Sequence, residues 1–121
     1  MKPLSVLVID DENVICDACH LVLSEKGHVV DRSMTGKEGL VAIERGNYDV
    51  ILLDMKMPDM DGMEILQQIK AKTPKPCVIV MTGYATMSNA VQAMKLGAVD
   101  YLAKPFTDDE LIDALEKAFP K

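Results

Sequence analysis

Three short apolar runs, at residues 4–9, 50–53 and 77–81, each break off into polar residues. This repetition restricts the possible folds more than any other feature of the chain. A strand with one wet face alternates apolar and polar residues, whereas a strand covered on both faces reads as a nearly continuous Val, Ile and Leu run. The three runs are of the second kind and predict interior strands of a parallel sheet. Weaker runs at 28–32 and 99–102 raise the number of predicted strands to five.

Between the runs lie segments with helical spacing. Val14, Ile15, Ala18, Leu21 and Val22 form the first apolar stripe, followed by Leu40 and Ile43, then Ile65, Leu66 and Ile69. Met87, Ala90, Val91 and Met94 form the fourth stripe, and Leu111, Leu115 and Ala118 the fifth, each repeating at about 3.6 residues per turn. Thr35-x-x-Glu38 and Thr107-x-x-Glu110 have the pattern of capping boxes, and Gly27, Gly46 and Gly97 stand where helices should stop. Five strand–helix units follow. Their alternation predicts an α/β fold, a doubly wound five-stranded parallel sheet with right-handed crossovers, and among such folds is the strand order 2-1-3-4-5. In such a sheet the ligand crevice lies beyond the carboxyl ends of the strands, where the order reverses between strands 1 and 3.

The 121 residues suit one domain over 1–121, and 49% apolar with 26% charged residues argues against disorder and against a disulfide scaffold. A net charge of −6 opposes binding of a nucleic-acid backbone. The first apolar run meets Asp10, Asp11 and Glu12 at once, unlike a signal peptide, and no run approaches the roughly 20 residues that span a bilayer. The expectation is a cytoplasmic protein with no membrane or direct nucleic-acid partner and with its three cysteines as thiols.

The predicted carboxyl ends carry Asp10 and Asp11, Asp54, Thr82 and, shortly after the fifth strand, Lys104. Two unit charges 4 Å apart repel by about 4 kcal/mol at an effective dielectric near 20, so converging carboxylates need a cation. Hard oxygen donors with no suitable His or Cys nearby favour Mg²⁺ over zinc, and Lys104 can add a fixed positive charge. Asp11 also stands where it could serve only as a helix cap.

With Asp10-Asp11, Asp54 in the stretch Leu53-Asp54-Met55-Lys56-Met57-Pro58-Asp59-Met60-Asp61-Gly62, Thr82 in Met81-Thr82-Gly83-Tyr84, and Tyr101 before Lys104-Pro105-Phe106, the chain resembles the receiver domain of two-component response regulators over essentially its whole length. The resemblance implies a flavodoxin-like (βα)5 fold and a signalling module rather than a turnover enzyme. It implies that Asp54 accepts a phosphoryl group from a sensor histidine kinase. Asp11 and Asp54 would then ligate Mg²⁺ with the backbone carbonyl of Lys56, Asp10 acting largely through water, while Thr82 and Lys104 hold the phosphoryl oxygens.

The same resemblance makes Thr82 and Tyr101 a switch pair and the fourth helix, fifth strand and fifth helix the face read by an output domain or by a second copy in a homodimer. Met87, Ala93 and Met94 would give that face apolar contacts, with Lys95 and Asp100 at its rim. Lys56 and Tyr84 stand where such domains tune phosphoryl lifetime, and Lys104-Pro105 is often cis in them. The stretch 90–102 is particularly similar to receivers of the NtrC type, whose outputs regulate transcription.

Several features admit other readings. Cys16-Asp17-Ala18-Cys19-His20 has the haem-attachment pattern, yet it falls inside the first amphipathic helix and no export signal precedes it. There Cys16 is expected to point away from the Val14-Ala18-Leu21 stripe, with Cys19 on its flank. Asp59 and Asp61 flank a Pro-containing turn and are expected to cap, with Asp61-Gly62 opening the third helix. For the cluster as a whole, the alternatives are a small Mg²⁺-dependent hydrolase with Asp54 as nucleophile and a receiver-shaped interaction module that is never phosphorylated. Flavin binding lacks a phosphate-cradling Ser, Thr and Gly loop after the first strand.

Overall fold

The computed structural model describes residues 2–72, 74–83 and 87–120. Its elements alternate without exception: β1 (Ser5–Ile9), α1 (Asn13–Glu25), β2 (Val29–Ser33), α2 (Gly36–Arg45) and β3 (Val50–Asp54). Then come α3 (Gly62–Lys70), β4 (Cys77–Thr82), α4 (Met87–Lys95), β5 (Asp100–Ala103) and α5 (Asp108–Ala118). The strands form one parallel sheet in the order β2-β1-β3-β4-β5, as the sequence predicts.

The continuous apolar runs are explained by the two cores. Val6, Val8, Leu52, Ile79 and Met81 face one side of the sheet and pack with Cys16, Cys19 and Leu23 of α1 and Leu111 and Leu115 of α5. Leu7, Ile9, Ile51, Leu53, Val78 and Val80 face the other and pack with Ile43, Ile65, Leu66, Ile69 and Ala93. Neighbouring residues of one strand enter opposite cores, so neither register can be polar. Each fully buried Leu or Ile contributes about 1.5–3 kcal/mol relative to exposure.

Two helical stripes differ from expectation. In α1 the buried residues are Cys16, Cys19, Val22 and Leu23, whereas Val14 is 76% and Leu21 61% exposed. Cys16 therefore points into the core rather than away from it. Cysteine behaves as a small apolar side chain, and two of them at i and i+3 rotate the buried face away from the Val14-Leu21 line. In α4, Ala93 is buried while Val91 and Met94 face outward, which removes Ala93 from the outer contact face. A small residue there lets the helix lie close to the sheet. The side chain of Met87 lies outside the described residues.

Four strands reach one residue further than their apolar runs: β2 to Ser33, β3 to Asp54, β4 to Thr82 and β5 to Ala103. The backbone ladder continues under these residues, with Met55 N donating to Met81 O at 3.0 Å and Lys104 N to Thr82 O at 2.9 Å. The helix ends follow the capping pattern with one exception. Thr107 and Glu110 complete a reciprocal box at α5, but at α2 Thr35 accepts from Glu38 N while the Glu38 carboxylate accepts from Met34 N instead of closing the box. Gly27 and Gly97, just past α1 and α4, have φ of +92° and +109°, the left-handed turn that favours glycine after a helix.

Candidate functional site

Parallel register assembles the site. Ile9 pairs with Leu53, so the next residues, Asp10 just past β1 and Asp54 at the end of β3, stand side by side. Asp54 in turn pairs with Met81, and Thr82 with Ala103, which brings Thr82 and the start of the 104–106 turn to the same end. Asp10, Asp54 and Thr82 are all buried there.

Lys104 reaches in among the acids. Its Nζ stands 2.7 Å from Asp10 Oδ2, 3.2 Å from Glu12 Oε1 and 3.6 Å from Asp54 Oδ2. Asp10 Oδ1 accepts from Glu12 N at 2.9 Å, while Asp10 Oδ2 meets the Lys104 ammonium as an ion pair and has no other hydrogen-bond partner among the described residues. Asp54 Oδ1 accepts from Lys56 N at 3.2 Å.

The electrostatics record the crowding. Burial pushes the Asp54 carboxyl up to about 6, the charge of Asp10 and a hydrogen bond with Asp11 add to that, and the Lys56 N–H and Lys104 oppose it. Burial pulls Lys104 down, but its contacts with Asp10, Asp54 and Glu12 outweigh burial and leave its pKa raised.

Carboxylate oxygens of Asp10, Asp11 and Glu12 lie within 4.8 Å of one another. Glu12 is the acid that sequence reasoning missed; it also occupies the N-cap of α1, with no side-chain cap bond, which leaves its carboxylate for Lys104 and excludes Asp11 from that capping position. The third acid in the Asp10-Asp11-Glu12 run was the available signal. A hard cation suits these donors: they are all oxygens, and among the described residues the buried Asp10 Oδ2 has only the Lys104 ammonium to offset its charge. A cleft of about 410 Å³, lined by Glu12, Ile15, Asp54, Lys56, Gly83, Lys104 and Pro105, opens the site to solvent.

The remaining candidates fall at different distances from this centre. Tyr101 is 41% exposed and, with the buried Thr82, lines a separate cleft of about 280 Å³ between α3, α4 and β5. Tyr84 lies outside the described residues. The Lys104-Pro105 bond is cis, as the resemblance implies. Asp61 caps α3 by accepting from Met63 N at 2.9 Å, whereas Asp59 caps α2, a helix earlier in the chain, through Gly36 N and Lys37 N.

The cysteine motif belongs to the core. Cys16 and Cys19 are free thiols with no exposed surface, and burial pushes them up to about 11 and about 12. Thiols enclosed between helix and sheet offer no attachment point for a haem.

Residues 6–116 match the family model described as the response regulator receiver domain. The chain is 37% identical over 115 residues, 95% of its length, to the transcriptional regulatory protein ZraR of Escherichia coli K12, of which it spans 26%. A receiver domain protein from Methanospirillum hungatei JF-1 superposes with a TM-score of 0.90 at 32% identity, covering 97% of this chain and 94% of that one. NtrX from Brucella abortus superposes with a TM-score of 0.89 at 32% identity, over 97% of this chain and 27% of NtrX. These relatives support the NtrC-type resemblance of residues 90–102. The chain thus spans about a quarter of ZraR and of NtrX.

Proposed function

The chain belongs to the response regulator receiver domain family, and on that premise we propose that it is a phosphorylation-controlled module in which Asp54 accepts a phosphoryl group from a sensor histidine kinase. The observation that carries the reading is the Lys104 ammonium, 2.7 Å from Asp10 and 3.6 Å from Asp54, at the wall of an open cleft.

An Asp54 oxygen attacks the phosphorus of a phosphohistidine. The O–P bond forms as the P–N bond breaks, and the electron pair leaves on the imidazole nitrogen, which takes a proton from solvent. Titrating at about 6, Asp54 is mostly ionised at neutral pH and available to attack. Phosphoryl transfer needs positioning and charge neutralisation more than covalent machinery, and the chain supplies both. The Lys56 N–H holds Asp54 through Oδ1 at 3.2 Å, while Lys104 and the hydroxyl of Thr82 take the oxygens of the incoming group. Mg²⁺, held by Asp10, Asp11, Asp54 and the backbone carbonyl of Lys56, would supply the further positive charge that the phosphoryl group requires. The product is an acyl phosphate that water slowly hydrolyses, so the chain is consumed and reset rather than turning over a substrate.

Phosphorylation would be read through Thr82 and Tyr101, which line one cleft. A charge-assisted bond from Thr82 contributes roughly 1.5–3 kcal/mol, and inverting a 1:99 population takes about 5.5 kcal/mol, so the contacts of Lys104 and the metal must share the work. Tyr101 then turns into the cleft and alters the face of α4, β5 and α5, where Val91, Met94 and Val99 are exposed. An output domain or a second copy would read that face. Relatives named as transcriptional regulatory proteins support control of transcription, in the cytoplasm, as the output.

The test is incubation with acetyl phosphate, with and without Mg²⁺, followed by intact-mass measurement of wild type and Asp54→Asn. A single phosphate that requires both the metal and Asp54 is expected. Labelling that persists in Asp54→Asn defeats the assignment, and continuous turnover of phosphoesters favours a hydrolase.

A further inference from the structure

Residues 55–62, between β3 and α3, close into a ring. Gly62 N donates to Met55 O at 3.2 Å, and Lys56 and Asp61 pair across it as an isolated antiparallel bridge. A Cβ at Gly62 would come within 2.6 Å of Met55 Cα, so the closure depends on that residue having no side chain. One end of the ring is the site itself, where Lys56 N holds Asp54 Oδ1.

The tip of the ring rests on the first turn of α2. Asp59 Oδ1 accepts from Gly36 N at 2.9 Å and Asp59 Oδ2 from Lys37 N at 3.1 Å. A Cβ on Gly36 would lie 2.7 Å from Met60 Cβ, so tip and helix end are in direct contact. The first N–H groups of a helix have no partner within it. Here Thr35 takes that of Glu38, and Asp59 takes those of Gly36 and Lys37 from a different loop. The Gly36 N–H, chief among the causes, holds the Asp59 carboxyl below its ordinary range, as expected when a carboxylate accepts from backbone amides.

We propose that Asp59 is a positioning residue for the phosphoacceptor site: by tying the ring to α2 it fixes the Lys56 peptide against Asp54, and so sets the affinity of the site for Mg²⁺. The inference rests on the reading of Asp54 as a metal-dependent phosphoacceptor. Asp59 touches neither Asp54 nor the phosphoryl group in this scheme. Its effect passes through the ring, as groups that orient a ligand from outside tune a metal site.

The test compares wild type, Asp59→Ala, Asp59→Asn and Thr35→Ala by calorimetric titration with Mg²⁺, thermal unfolding and acetyl phosphate labelling. Thr35→Ala loosens the same helix end without touching the ring, and so separates stability from positioning. Asp59→Ala is expected to weaken Mg²⁺ binding about tenfold, with Asp59→Asn recovering part through its one remaining acceptor oxygen, while Thr35→Ala lowers the unfolding temperature but keeps the affinity within about twofold. Should Asp59→Ala fail to fold, Asp59→Asn and Thr35→Ala still give the comparison. Unchanged affinity in the Asp59 variants, or an equal loss in Thr35→Ala, overturns the proposal. A wild-type chain that neither binds Mg²⁺ nor takes up phosphate overturns the phosphoacceptor reading and this inference with it.

Discussion

The ammonium of Lys104 lies 2.7 Å from Asp10 Oδ2, a buried oxygen with no other hydrogen-bond partner among the described residues. Asp10 has no exposed surface and Lys104 little, so the pair depends on mutual attraction rather than on water. A buried charge that loses its partner is costly, while the intact pair adds little net stability of its own. That asymmetry makes the pair a means of holding geometry.

Replacing Lys104 with Met should therefore cost about 3 kcal/mol or more in urea unfolding, because Asp10 and Asp54 are left buried without a cation. A loss within about 0.5 kcal/mol, the size of an ordinary surface substitution, would show that water enters and screens the acids.

Asp54 gives the pH dependence. Its carboxyl titrates at about 6 in the folded chain against an ordinary 3.8, so between those values the native state holds a proton that the unfolded chain has released. The contribution is present at low pH and lost as pH rises through about 6, a swing on the order of 2–3 kcal/mol at 1.36 kcal/mol per unit. In metal-free buffer Asp54→Asn should accordingly be more stable than wild type at pH 7.5, with the advantage shrinking toward pH 4. An advantage that stays constant across the range contradicts the assignment.

Gly62→Ala would force a Cβ within 2.6 Å of Met55 Cα and 3.1 Å of Asp54 O, where backbone and not a flexible side chain must yield. The expected cost is about 1–3 kcal/mol of stability, together with slower labelling by acetyl phosphate. Wild-type stability and labelling rate would mean that the ring opens freely.

Burial orders the thiols. At pH 8 Ellman's reagent should reach the half-buried Cys77 in the folded chain, and Cys16 and Cys19 only after denaturation. Native labelling of Cys16 or Cys19 at the rate of Cys77 would contradict the packing of α1.

Strand identity was legible because parallel, doubly covered strands leave a nearly continuous apolar run, while their order was legible only through known folds of this kind and the family resemblance. The convergence of Asp10, Asp54, Thr82 and Lys104 on one sheet end follows from that order alone. The face of α1 was not legible, because Val14, Ala18 and Leu21 trace a rival apolar stripe while Cys16 and Cys19 fill the core. Nor was the role of Glu12, whose position as cap and as partner of Lys104 depends on where the helix begins. The reach of Asp59 to Gly36 and Lys37 joins residues more than twenty positions apart, beyond any local pattern.

The most direct measurement is to trap the phosphorylated chain with sodium borohydride, which reduces an acyl phosphate of aspartate to homoserine, and to locate the new residue by tandem mass spectrometry. Homoserine at position 54, formed only when Mg²⁺ accompanied the phosphodonor, is the result this account predicts. Homoserine at Asp10, Asp11 or Glu12, or phosphate retained on His20 with position 54 unchanged, would contradict it.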